Sequence, residues 1–397
     1  MLFEQTTLGD VSKGGKGNYG IAASAVDYSD ELYTYLRITD IKDDGTIDFE
    51  GLKSVNDGKA ANYLLQPNDI VFARTGASTG RNYFYDGSDG QFVYAGFLIK
   101  FSIDPDKVNP KYVKYYCLSQ EYKGWIASYN TGSTRGNINA QTLAQMPLLL
   151  PERMQQDKMV DILSSIDRKI KENEKINKNL EQQAQAYFDE LFVVNADPNW
   201  SECTLSDIGS VVAGGTPSKS KPEYYADQGI AWITPKDLSV NKSKFISHGE
   251  NDISELGFSK SSAAKMPAGT ILFSSRAPIG YIAIAQNEVT TNQGFKSVIP
   301  NENIGTAYLY FLLKNLLPTI EGMASGSTFK EISGSAMKSV PTVMPDADTI
   351  QLFSSFCEPV FKEQEILEAE NQRLSALRDS LLPKLMSGEL DVSDIEL

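Results

Sequence analysis

The chain has 397 residues, with 37 basic against 51 acidic side chains, a formal net charge of −14 and a hydrophobic fraction of 41%. That length exceeds one ordinary core and that composition is globular, so two domains of about 150 residues plus extras are expected. No apolar run approaches the ~20 residues that span a bilayer, and MLFEQTTLGD lacks the basic start and apolar stretch of a signal peptide. Three scattered cysteines, Cys117, Cys203 and Cys357, argue against a disulfide framework or a zinc site, so a cytoplasmic protein without a membrane partner is expected.

Residues 1–150 form a first globular block. Strand-like runs at 70–73 and 92–103 and a helix-like run at 113–121 predict α/β or α+β. Polar Gly-rich stretches punctuate it: GGKGNYG (14–20), ARTGASTGRN (73–82) and TGSTRGN (131–137). DDGTID (43–48) and DGSDG (86–90) have the composition of hairpin turns.

Residues 151–194 predict a long helix. Met159, Leu163, Ile166, Ile170, Asn173, Asn177, Leu180, Ala184, Tyr187 and Leu191 recur at alternating steps of four and three, with charged residues between them. That spacing is a coiled-coil seam, and Pro151, followed by an acidic residue, suits the start of the helix. Residues 195–345 form a second block, with a strand-like run at 271–274 and a helix-like run at 307–317. Its loops are GGTPSKSKPEYY (214–225), SSRAPIGY (274–281) and SGSTFKE (325–331). Residues 346–397 repeat the seam as Phe353, Cys357, Val360, Gln364, Leu367, Asn371, Leu374, Arg378, Leu381 and Leu385, after Pro345.

The second half of the chain echoes the first. TGSTRGNINAQTLAQMPLLLP (131–151) faces SGSTFKEISGSAMKSVPTVMP (325–345) without a gap, at an offset of 194. The period is far beyond solenoid repeats, so a domain has been duplicated. The seams then predict an antiparallel coiled coil of the two helices, with a pseudo-two-fold axis. Asn177, Leu180, Asn371 and Leu374 are the expected pairing residues, the asparagines giving up stability to fix register.

The acidity is uneven. Residues 8–150 carry 14 basic and 16 acidic side chains, 151–194 carry 7 and 9, 201–345 carry 12 and 12, and 346–397 carry 4 and 12. The two blocks are near neutral, so each has room for a local basic face, and EQEILEAENQ (363–372) is expected in solvent or against a partner.

Catalytic signatures are not found. A P-loop needs G-x-x-x-x-G-K-[ST] before a helix, whereas ARTGASTGRN has Arg81 in the lysine's place and runs on into a strand-and-turn pattern. There is one histidine, His248, no G-x-S-x-G elbow, no dinucleotide fingerprint and no ligand-spaced metal cluster. What remains is two loop-rich faces carrying the inventory for phosphates and base edges, where Arg or Lys reads guanine and Asn or Gln reads adenine. In the first block the candidates are Arg74, Thr75, Ser78, Thr79, Arg81, Asn82 and Tyr83, with Ser133, Thr134, Arg135 and Asn137. The second offers Thr216, Ser218, Lys219, Lys221 and Lys236; then Ser275, Arg276, Tyr281, Asn292 and Gln293; then Ser327, Thr328 and Lys330.

GNYGIAASAVDY, GGTPSKSKPEYYADQGIAWITPKDLS, the GST turn used twice before a Pro-ended strand, and LRDSLLPKLMSGEL together resemble a known family. It is the specificity (S) subunit of Type I restriction-modification systems, and the resemblance covers essentially the whole chain. It implies two target recognition domains (1–150 and 195–345), each reading one half of a split site in double-stranded DNA, and two spacer helices (151–194 and 346–397) setting the unread gap. It also implies a non-catalytic chain that docks two methyltransferase (modification) subunits and two restriction (translocase and nuclease) subunits. S-adenosylmethionine, ATP and Mg2+ would sit on those partners and no cofactor on this chain. A seam from 159 to 191 would span roughly 50 Å at about 1.5 Å per residue, and neighbouring major-groove windows lie about 34–36 Å apart. The loops of the two blocks differ throughout, so an asymmetric target is expected. Two alternatives stay open: a specificity chain serving an orphan methyltransferase or another phage-defence effector, and a coiled-coil scaffold that does not bind DNA.

Overall fold

The structure is a computed structural model that describes residues 3–129, 137–326 and 330–393. It separates into two compact units, Met1–Ile170 with Arg373–Leu397, and Lys171–Gln372.

In the first unit a short entry strand, Glu4–Thr7, pairs antiparallel with Pro147–Leu150, so the chain enters and leaves the domain at one place. Between them lie two four-stranded sheets. One has the order Asn18–Tyr19, Leu98–Ser102, Asp69–Ala73, Asn82–Tyr85. The other runs Ala25–Val26, Lys53–Val55, Tyr33–Leu36, Phe92–Tyr94, with its last pair parallel. The run DIVFA is buried along its whole length because it separates two cores: Ile70 and Phe72 face one, Val71 and Ala73 the other. A continuous apolar run signals such two-sided burial. The expected strand at 92–103 is two strands, in different sheets. DGSDG likewise joins strands of different sheets and closes no hairpin, whereas DDGTID turns between the bridged Ile41 and Ile47. Helix Pro110–Tyr116 starts on Asn109, whose side chain accepts the Lys111 N–H, with proline at the first helical position.

The second unit repeats this plan. Ser201–Thr204 pairs with Pro341–Met344, and the central hairpin Ile271–Ser275/Ile279–Ala285 sits in a five-stranded sheet. A second sheet holds Tyr225–Ala226, Asn251–Ile253, Ile230–Ile233 and Thr290–Thr291. A glycine at positive φ sits at the start of each returning strand, Gly80 (89°) just before it and Gly280 (97°) just inside it.

The long helices are Arg153–Asp189 and Ala347–Ser387, each beginning two residues after its proline. All twenty seam residues are buried or half-buried, so the 4–3 spacing located the packed face. Within each unit the two helical segments run antiparallel. In the first, Asp167 accepts from Arg378 at 3.3 Å and Gln155 donates to Ser393 at 2.7 Å. In the second, the Asn173 Nδ2 donates to Asn371 at 2.8 Å and to Glu370 at 2.7 Å. Asn371 is thus a pairing residue, but its partner is Asn173 and not Asn177. The Asn177 Oδ1 is buried without a hydrogen bond, while its backbone carbonyl accepts from Gln364 at 3.2 Å. Leu180 and Leu374 are half-buried.

One buried ion cluster anchors each domain to its helical segments. In the first unit Asp167 takes Lys114 at 2.8 Å, the Tyr115 hydroxyl at 2.8 Å, and Arg378. Burial works against that carboxylate, but Lys114 and Arg378 outweigh it and hold its pKa below normal. In the second, Glu181 takes Lys244 at 2.7 Å and Lys314 at 2.5 Å. Lys244 is 8% exposed, also donates to Gln364 at 2.9 Å, and lies 3.5 Å from the Phe361 ring centre. Burial pulls its ammonium down to about 8 against the opposing pull of Glu181. Glu368 accepts the backbone N–H groups of Lys244 and Phe245 at 2.9 and 3.2 Å. The acidic run 363–372, expected to face solvent or a partner, therefore spends Glu368 and Glu370 inside its own unit.

Candidate nucleic-acid interface

Each central hairpin turn lies beside a residue that follows the GST motif in sequence, Asn137 in the first domain and Glu331 in the second. In the first domain the Arg74 N–H donates to the Phe97 carbonyl at 3.1 Å, and the Arg74 carbonyl accepts from Ile138 at 2.9 Å. Thr75 bridges Asn137. The Arg74 guanidinium stands 5.2 Å from the Tyr19 ring centre, and the Tyr19 hydroxyl accepts the Ala140 N–H at 3.2 Å. Tyr19 and Phe97 are 44% and 57% exposed; in this crease the Tyr19 ring carries the cation, and Phe97 meets Arg74 through its backbone carbonyl. Arg74 is half-buried, and its Nε is buried without a hydrogen-bond partner.

In the second domain Arg276 occupies the position of Thr75, and Glu331 that of Asn137, 194 residues on. The bridge is now ionic: Glu331 takes Arg276 at 3.4 Å and the nearly buried Lys296 at 3.6 Å. Ser325 and Glu331 exchange two backbone hydrogen bonds, at 3.1 and 2.9 Å. Thr216 donates to the Gln293 side chain, and Gly215 donates to the Thr291 carbonyl at 2.8 Å, so the GGTP loop closes over the Asn292–Gln293 turn.

Several candidates from the sequence lie on these creases: Arg74, Thr75, Asn137, Thr216, Arg276, Asn292 and Gln293, with Lys330 exposed next to Glu331. Ser78 and Thr79 form the single turn after Gly76, where the Thr79 hydroxyl donates back to the Gly76 carbonyl at 2.7 Å. Arg81 is committed to Asp43 through two contacts, at 2.6 and 3.1 Å. Ser218, Lys219 and Lys221 are exposed on the loop after Pro217, with Lys221 3.8 Å from Glu223. Lys236 is exposed and paired with Glu250 at 2.6 Å.

Three assignments are corrected. Asn82 is 5% exposed and its amide donates to the Cys117 carbonyl at 2.9 Å. Tyr83 is 3% exposed and donates to Asp89, with burial pushing its hydroxyl pKa far up. Ser275 is fully buried and donates to the Gly294 carbonyl at 3.0 Å. Their polar atoms are spent inside the domains, where an unmade hydrogen bond is costly. Tyr281 is half-buried, packing on the core around Phe295 while its N–H donates to Ser274. Ser133, Thr134, Arg135, Ser327 and Thr328 lie outside the described residues.

Sequence reasoning missed Tyr19, Phe97, Lys296 and Glu331. The offset of 194 was the available signal for Glu331, because it aligns with Asn137. A cavity of about 1030 Å³ on the first domain is lined by Tyr28, Tyr33 and Phe49 with Asp30, Glu31 and Asp57. Its carboxylates repel phosphate, so it does not compete with the crease as a nucleic-acid face. Among the described residues no group of three or more His, Cys, Asp or Glu is placed to hold a metal ion, and no helix is long and apolar enough to cross a membrane.

Residues 2–182 and 198–376 each match the family described as Type I restriction modification DNA specificity domain. The chain is 40% identical over 190 residues to the Type I restriction enzyme MjaIX specificity subunit of Methanocaldococcus jannaschii, covering 46% of this chain and 44% of that relative. It thus spans less than half of that relative's length. With the HindI specificity subunit of Haemophilus influenzae the identity is 24% over 409 residues, covering 83% of this chain and 88% of the relative. The crystal structure of the S subunit of a Type I restriction-modification system from M. genitalium matches with a TM-score of 0.59 at 17% identity, over 96% of both chains, a likeness of fold. Two matched segments that together take in most of the chain settle its kinship: it belongs to the Type I restriction-modification DNA specificity domain family and carries that domain twice in tandem.

Proposed function

We propose that this chain is the sequence-reading subunit of a Type I restriction-modification complex, taking up double-stranded DNA with one domain per half-site. The observation that carries this reading is the crease built twice on one plan with different side chains, Thr75 and Asn137 in one copy and Arg276 and Glu331 in the other. Different donors and acceptors at equivalent positions read different bases, so the target is asymmetric. The helical segments account for the unread gap. Two methyltransferase subunits and two restriction subunits dock on the chain, bringing S-adenosylmethionine, ATP and Mg2+ with them, and this chain supplies recognition without catalysis. Both domains are near neutral, with 14 basic against 16 acidic residues in 8–150 and 12 against 12 in 201–345. Phosphate attraction is therefore weak, and tight binding needs basic surface from the partners.

The test is to produce the chain with its methyltransferase partner and map N6-methyladenine across host DNA by single-molecule sequencing. The expected result is a motif of two short, different half-sites at a fixed separation. A stable complex that leaves no such motif refutes the reading. Nanomolar duplex binding by the isolated chain at physiological salt would refute the dependence on partners.

A further inference from the structure

We infer that Arg74 is the guanine-reading side chain of the first domain, its guanidinium set in place before DNA arrives. This rests on the proposed reading of the chain as a DNA-recognition subunit and goes beyond it to one residue and one base.

The arginines of the first domain differ in what they have left to give. Arg37 is held by Asp40 at 2.6 Å, and Arg81 by Asp43. Arg74 has no carboxylate partner among the described residues, and its buried Nε donates to nothing. That Nε is out of a ligand's reach, so the prongs left to an incoming acceptor are the two terminal guanidinium nitrogens, which have no acceptor among the described residues. Its backbone is fixed on both sides, by Phe97 and by Ile138, and its side chain is braced by the Tyr19 ring. A guanidinium so held has given up most of its rotamer freedom in advance, which favours a planar, two-pronged partner over a point charge. Guanine offers that in the major groove as O6 and N7. Phosphate contacts come readily from exposed flexible arms, and Arg74 is neither. The second domain has no counterpart, since the fully buried Ser275 stands in the place of Arg74 and the next residue, Arg276, is already on Glu331, which Lys296 shares. The assignment therefore concerns one half-site only.

The experiment is the methylation map above, run with the full chain and its methyltransferase partner and repeated for two variants. Arg74→Lys keeps the charge and the stem over Tyr19 but loses the fork. Arg74→Gln exchanges a guanine reader for an adenine reader. In Arg74→Lys, preference at a single guanine position of one half-site should fall roughly ten- to a hundredfold, with every other position held. Arg74→Gln should shift that same position toward adenine. Arg276→Lys should leave that half-site as it was. An unchanged motif in both variants overturns the assignment, as does relaxation at an A·T position. Methylation that falls evenly at all sites with no position relaxed would make Arg74 a phosphate contact and also overturn it. If Arg74→Lys does not co-purify with the partner, the Gln variant decides. A wild-type chain that leaves no motif fails at the earlier step, the reading of the chain itself.

Discussion

Removing Glu181 should cost far more than removing Lys244, although the two form one ion pair at 2.7 Å. Glu181→Leu leaves the Lys244 ammonium, 8% exposed, without a paired carboxylate, held by the Gln364 carbonyl and the Phe361 ring. An orphaned buried charge costs about 3–5 kcal/mol. Lys244→Met acts differently, because Glu181 keeps Lys314 at 2.5 Å and the Tyr310 hydroxyl at 3.3 Å. That change also lifts the desolvation that holds the Lys244 pKa at about 8. Against an ordinary value of about 10.4, this relief is worth about 3 kcal/mol. Leaving the Gln364 acceptor unsatisfied takes back about 1–3 kcal/mol. Lys244→Met should therefore lie between wild-type stability and about 2 kcal/mol above it, and the double variant should recover most of the loss of Glu181→Leu. Equilibrium urea unfolding followed by tryptophan fluorescence measures this, since Trp200 and Trp232 both lie in the second unit. Equal costs for the two single variants, or strictly additive costs in the double, would refute the reasoning.

Further outcomes follow from the same contacts. The lowered Lys244 pKa means the unfolded chain holds that proton more tightly, so wild type should gain stability relative to Lys244→Met as pH rises from about 8 to about 10.4; a flat difference between denaturation midpoints across that window contradicts it. Gly80→Ala puts a side chain at φ 89° and its Cβ 2.6 Å from the Ile126 Cγ2, so a loss of about 1–3 kcal/mol is expected in a thermal melt, and a neutral result would show that the turn can relax. Asn173→Leu with Asn371→Leu replaces a polar pair in the helix seam, where the Asn173 Oδ1 is unsatisfied. The double variant should melt higher, and a lower melting point would show that the pair is a net stabiliser in this seam.

The parts of this fold that depend on periodicity were legible in the sequence. The duplication, the seam and the central strands follow from spacing alone, and the structure keeps every seam residue from full exposure. Contacts fixed only by tertiary approach were not legible. Asn82, Tyr83 and Ser275 have the composition of a reading loop, yet their polar atoms meet backbone or carboxyl groups inside the domain. The Lys244 cluster was invisible for the same reason: its partners Glu181 and Gln364 are 63 and 120 residues away. Arg74 looked no different from Arg81 on the page, and only the positions of Asp43 and Tyr19 separate the committed guanidinium from the open one.

The first unit draws Leu382, Leu385, Met386 and Val392 into the same core as Leu8, Phe72 and Leu163. On the ribosome that core stays open until residue 392 has emerged, long after the rest of the domain has been made. The second unit, Lys171–Gln372, is one continuous stretch of chain and has been made in full before that. Synthesis thus reverses the usual N-to-C order of domain folding, and the half-built first domain must stay soluble with its helix-facing apolar surface uncovered. A lesion or frameshift near residue 380 would leave the second domain whole and cripple the first, silencing one half of the reading at the far end of the gene from where that half is encoded.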